Sequence, residues 1–128
     1  MQAILDTNSF LWFISGSEKL SINALEFIAD SNNRLVMSTA GLWEIAIKVS
    51  INKLNLLQPY EKLIPQQLKE NDINVMPIEL SHLAKVIELP FYHRDPFDRI
   101  IIAQALIENL PIVTSDSIFS QYSVKLIW

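Results

Sequence analysis

The chain contains no cysteine. That excludes a disulfide scaffold, a thiol nucleophile and any zinc or iron–sulfur centre built on thiolates. It has two histidines, His82 and His93, too few for a histidine-dominated metal site. Glycine occurs only at Gly16 and Gly41, so no glycine-rich loop of the Walker or dinucleotide type is present. Charge is also scarce. Charged residues make up 19% of the 128 positions, and 10 Lys and Arg against 14 Asp and Glu leave a net charge of −4. A mildly acidic chain has no global basic footprint for nucleic acid, so any such binding must use a local patch or bound cations. No apolar run reaches the roughly 18 residues of a spanning helix. The opening Met1-Gln2-Ala3-Ile4-Leu5-Asp6 has no basic leader, and Asp6 interrupts its apolar stretch. A soluble, cytoplasmic protein without membrane attachment is expected.

Half of the residues are hydrophobic, which is enough to build a sizeable core and argues against disorder. The length suits one domain spanning residues 1–128. Short apolar runs alternate with helical patterns. Strands are expected at Gln2–Leu5, Arg34–Met37, Asn74–Pro77, Ile112–Thr114 and Val124–Ile127. Helices are expected at Asn8–Ile14, Ser21–Ser31, Thr39–Asn52 (capped by Ser38 or Thr39), Pro59–Asn71, Ser81–Leu89 and Phe97–Asn109, with a short turn or helix at Ser117–Tyr122. Pro65 blurs the limits of the fourth helix. The alternation implies an α/β fold, a parallel sheet with helices on both faces. The helix from Phe97 is apolar on most of its circumference and should pack deep against that sheet.

In such a fold, strand C-termini and helix N-termini share one edge, where ligands bind. Four acids fall there: Asp6 after the first strand, Glu44 about a turn into the third helix, Asp98 at the start of the apolar helix, and Asp116 after the strand Ile112–Thr114. Each also has a plain structural role. Asp6 and Asp116 can begin a helix or turn. Glu44 can pair with Lys48 at i,i+4. Asp95-Pro96-Phe97-Asp98 matches an N-cap, a proline at N1 and an acid at N3. The shared edge is the informative feature. Converging carboxylates repel in a desolvated cleft, and a divalent cation relieves the repulsion. An all-oxygen donor set favours Mg²⁺ or Mn²⁺.

The strings Ile4-Leu5-Asp6-Thr7-Asn8, Ser38-Thr39-Ala40-Gly41-Leu42-Trp43-Glu44-Ile45, Asp95-Pro96-Phe97-Asp98-Arg99-Ile100-Ile101-Ile102-Ala103-Gln104-Ala105 and Ile112-Val113-Thr114-Ser115-Asp116 run in this order through the chain. Together they resemble the PIN-domain ribonucleases, in particular the VapC-like toxins of type II toxin–antitoxin pairs. The segment Asn55–Leu89 carries no matching motif. The resemblance implies a five-stranded parallel sheet and an acidic pocket for Mg²⁺ or Mn²⁺. It implies Asp6, Glu44, Asp98 and Asp116 as catalytic metal-holding acids, with Thr7, Asn8, Thr114 and Ser115 as polar support. It further implies hydrolysis of RNA phosphodiester bonds, a homodimer and a cognate antitoxin protein. Asp95 and Asp98 are both candidates for the metal-facing acid. Asp98 is favoured because it directly precedes the Ile/Ala-rich run. Arg94 and Arg99, with Lys48 and His93, are the basic residues near the rim that could contact the RNA backbone. For Arg99 a salt bridge to Asp95 is the rival role, and for both histidines a satisfied structural role is the default. Phe10-Leu11-Trp12-Phe13-Ile14 is apolar enough to contain a partner-binding patch as well as core.

Three other readings compete. A phospho-receiver domain needs an acid pair after its first strand and an acceptor Asp after its third, and Met76-Pro77-Ile78 supplies none. A HAD-type phosphatase needs Asp-x-Asp where this chain has Asp6-Thr7-Asn8. A PIN-like fold kept only for protein binding would not need four acids on one edge.

Overall fold

The computed structural model describes residues Met1–Trp128. Its chain order is β1 (Gln2–Leu5), α1 (Thr7–Ser15), α2 (Ile22–Ala29), β2 (Arg34–Ser38), α3 (Thr39–Ser50), α4 (Tyr60–Glu70), β3 (Ile73–Met76), α5 (Leu80–Glu88), α6 (Pro96–Glu108), β4 (Ile112–Val113), a 3₁₀ helix (Ser117–Tyr122) and β5 (Leu126–Ile127). Every expected element is present, with no end shifted by more than two residues. Helix α4 runs through Pro65, which stays exposed while its neighbour Ile64 is buried in the core. One lost backbone bond is tolerated where packing holds the helix. No helix is long and apolar enough to cross a membrane.

The five strands form one parallel sheet in the order β3-β2-β1-β4-β5. Alternation along the strands builds two cores. Ala3 and Leu5 of β1 face one way with Leu35 and Met37 of β2, against Phe10 of α1, Ile45 of α3 and Ile64 of α4. Ile4, Val36 and Ile112 face the other way, against Ile101, Ile102 and Ala105 of α6 and Phe119 and Tyr122 of the 3₁₀ helix. The deep burial expected for α6 is therefore observed. Burial on both faces holds for β1, β2 and β4. It fails for the edge strand β3, where Val75 is 46% exposed. The Phe10–Ile14 run divides as well, with Phe10 fully buried and Leu11 to Ile14 only partly so.

The strand order fixes where a site can form. From β1 the chain steps outward to β2 and β3, then returns to the other side of β1 for β4 and β5. The connections from β1 and β4 thus diverge to opposite sides, leaving a crevice at the carboxyl ends of these two strands. Asp6 and Thr114 leave the sheet at this crevice, and the Asp6 N–H donates to the Val113 carbonyl at 3.2 Å.

Candidate active site

Asp6 caps α1, with the Ser9 N–H donating to its Oδ1 at 2.8 Å. Across the crevice, Thr114 Oγ1 accepts the Asp116 N–H at 3.0 Å, and Asp116 caps the 3₁₀ helix. Glu44 is held from two sides. Thr7 Oγ1 donates to its Oε1 at 2.7 Å, and Lys48 Nζ lies 3.1 Å from its Oε2. Gly41 permits this approach of α3 to α1, because a Cβ there would stand 3.2 Å from Thr7 Oγ1 and 2.7 Å from Met37 Cε. Asp95 is the N-cap of α6 and accepts the Asp98 N–H at 3.0 Å. The capping roles and the ion pair anticipated from sequence are thus all realised, and the same residues still converge.

They surround a cavity of about 220 Å³ lined by Asp6, Thr7, Asn8, Glu44, Lys48, Asp95, Asp98, Ser115, Asp116 and one apolar residue, Phe119. Five carboxylates thus face a single lysine. Burial, followed by the charges of Asp95, Glu44, Asp116 and Asp6, pushes the Asp98 carboxyl up from 3.8 to about 7. Burial also raises Asp6, against the opposing hydrogen bonds from Ser9 and Thr114. The cavity is short of positive charge, and Asp98 feels that deficit most.

The structure gathers Asp6, Glu44, Asp98 and Asp116 around this cavity with Thr7, Asn8 and Ser115. Thr114 stays behind them, 1% exposed, bonded to the Asp116 backbone. Arg94 is exposed, makes no ion pair and lies outside the cavity wall. Arg99 corrects the expectation of a phosphate contact. It is 4% exposed and donates to the carbonyls of Val86, Leu89, Pro90 and His93 and to the Tyr122 hydroxyl. The rival salt bridge to Asp95 is absent too. The signal was legible, since Arg99 is three and four residues from the buried Ile102 and Ala103 and shares their helix face. Phe119 is the cavity residue that sequence reasoning missed. Its place depends on how the 3₁₀ helix folds back, and no motif marks that.

The donor set is all oxygen, which suits a hard divalent ion. No three His, Asp or Glu side chains form a ready-made ligand set. The arrangement therefore fits a hydrated ion held directly by one or two carboxylates, with the others reached through water, as is usual for Mg²⁺.

A model of the PIN domain matches residues 3–125. The chain belongs to the PIN-domain family. Among solved structures, this PIN domain is similar to that of VapBC2 from Rickettsia felis bound to a promoter DNA fragment, at 21% identity and a TM-score of 0.66, covering 98% of this chain and 97% of that one. It is also similar to VapBC-1 from nontypeable Haemophilus influenzae (22% identity, TM-score 0.65, 98% and 96% covered) and to FitAcB from Neisseria gonorrhoeae (19%, 0.64, 98% and 96%). No curated protein sequence matches. These likenesses cover the fold, including the segment 55–89 that carries no motif.

Proposed function

We propose that this PIN domain is a Mg²⁺- or Mn²⁺-dependent endoribonuclease and the toxin of a toxin–antitoxin pair. One observation carries the reading: Asp6, Glu44, Asp98 and Asp116, up to 110 residues apart, line one small polar cavity at the sheet's switch point. Asp6 and Asp98 hold the ion, and Glu44 and Asp116 support it directly or through water. When bound, the ion supplies Lewis-acid polarisation of the phosphate and acidification of the attacking water. Thr7 fixes the Glu44 carboxylate, and Thr114 fixes the backbone of Asp116. Asn8 and Ser115 offer polar groups to the RNA at the cavity wall. Lys48, 38% exposed, and Arg94 at the surface contact its phosphates. Homodimerisation and capture by a cognate antitoxin complete the proposal. Among the similar solved structures is a toxin–antitoxin complex from Klebsiella pneumoniae, which supports the antitoxin partner.

Purified protein is incubated with structured and unstructured RNAs in Mg²⁺, Mn²⁺ or EDTA. Metal-dependent cleavage that Asp6→Asn and Asp98→Asn abolish without unfolding supports the reading. Absence of cleavage in every metal and RNA tried refutes it and favours a protein-binding module.

A further inference from the structure

The segment His93–Arg99 does more than start α6. The buried Arg99 guanidinium donates to the carbonyls of Pro90 at 2.8 Å and Leu89 at 3.1 Å, and the Phe91 ring covers it at 4.1 Å. The backbone between α5 and α6 is thereby tied to the first turn of α6. On that backbone stands His93, 18% exposed, with Nε2 3.3 Å from Asp98 Oδ2 and Nδ1 2.7 Å from the Tyr122 hydroxyl.

The proton positions follow from counting donors. The Tyr122 oxygen accepts two N–H groups, the His93 backbone at 3.1 Å and Arg99 Nη1 at 3.3 Å. A phenol oxygen has one proton of its own, and with its lone pairs engaged that proton must be donated. His93 Nδ1 at 2.7 Å is a far better acceptor than the His93 carbonyl at 3.5 Å. Nδ1 is therefore unprotonated, and the ring proton of neutral His93 is on Nε2, aimed at Asp98.

We propose that His93 is a positioning residue: Tyr122 sets its tautomer, and its Nε2–H braces the Asp98 carboxylate for the cation. This rests on the metal-dependent reading above. Outer groups that orient a ligand commonly matter by roughly 10–100-fold in metal affinity. It also gives the sequence His93-Arg94-Asp95-Pro96-Phe97-Asp98-Arg99 one logic, in which Arg99 anchors, Asp95 caps, Asp98 ligates and His93 holds.

The test is Mn²⁺ titration followed by electron paramagnetic resonance on the wild type and on His93→Ala, His93→Gln, Tyr122→Phe and Asp98→Asn, with kinetics at saturating Mn²⁺ and imidazole ¹⁵N NMR. His93→Ala is expected to weaken Mn²⁺ binding about tenfold or more and to lower kcat while leaving KM for RNA unchanged. His93→Gln, whose amide can still donate to Asp98, is expected to recover most of both. The wild-type ring is expected to show protonated Nε2 and bare Nδ1, and Tyr122→Phe to mix the tautomers. Wild-type Mn²⁺ affinity in His93→Ala, a Gln variant no better than Ala, or a wild-type proton on Nδ1 each overturns the proposal. Should His93→Ala fail to fold, the Gln and Phe variants carry the comparison. Equal, weak Mn²⁺ binding by the wild type and Asp98→Asn instead overturns the metal-dependent reading and with it the brace's purpose. The tautomer then shows separately whether the Nε2–H faces Asp98.

Discussion

Replacing Asp98 by Asn should stabilise the metal-free protein and destroy the proposed activity. In the folded state the Asp98 carboxyl is pushed up from 3.8 to about 7, chiefly by burial and then by the charges of Asp95, Glu44, Asp116 and Asp6. Below pH 4 Asp98 is protonated in both folded and unfolded chains and costs nothing. As pH rises from about 4 to about 7, the unfolded chain gives up this proton first, so stability falls, and the penalty is complete above pH 7. At about 1.4 kcal/mol per pH unit the interval bounds the penalty at ~4 kcal/mol. Asp98 is partly exposed, and solvent screening reduces this to about 2 kcal/mol. Asn also loses the favourable interaction of an acid with the N-terminus of α6, up to ~1 kcal/mol. The net gain is about 1–2 kcal/mol above pH 7, or roughly 4–8 °C in Tm for a chain of this size. Thermal melts by circular dichroism in EDTA, at pH 4 to 8, measure it. Asp98→Asn should match or fall slightly below the wild type near pH 4 and melt higher at pH 8. Adding Mg²⁺ should raise the wild type by linkage and the variant much less. A variant that melts no higher than the wild type at pH 8 in EDTA, or gains equally at every pH, would falsify the penalty assigned to burial and charge crowding at Asp98.

Arg99→Met should lower stability by about 3 kcal/mol or more, because several carbonyls lose a charged donor in a buried place. Urea denaturation measures this, and wild-type stability combined with weakened RNA binding would restore the phosphate-contact role. Asp95→Ala should cost about 1 kcal/mol through the lost cap of α6 and leave most of the cleavage intact. If it abolishes cleavage while Asp98→Asn remains active, the two acids exchange roles. Gly16→Ala should cost about 1 kcal/mol without affecting cleavage, since Gly16 ends α1 at φ 67° with open space around it. An unchanged urea midpoint would show that the helix end adapts to a side chain.

Much of the molecule was legible from residue order alone. Short runs of three or four residues between helical patterns marked the strands, and strand–helix alternation fixed their parallel sense, because a crossover helix returns each strand in the same direction. Asp6 directly after β1 and Asp116 just beyond β4 then had to share the carboxyl edge. Asp95-Pro96 announced the start of α6 by local chemistry alone. What tertiary structure decided was direction and company. Arg99 was open to a phosphate contact or a salt bridge with Asp95; the helix face it shares with Ile102 and Ala103 could be read, but the carbonyls of residues 86–93 that it meets there could not. His93 carries no local signal, and its part depends on Tyr122, 29 residues away. The elevated Asp98 likewise depends first on burial and then on Glu44, Asp116 and Asp6, from other segments, joining the neighbouring Asp95. Periodicity and capping act within a few residues and can be read along the chain. Charge crowding and hydrogen-bond matching act across space and exist only once β1 and β4 lie side by side.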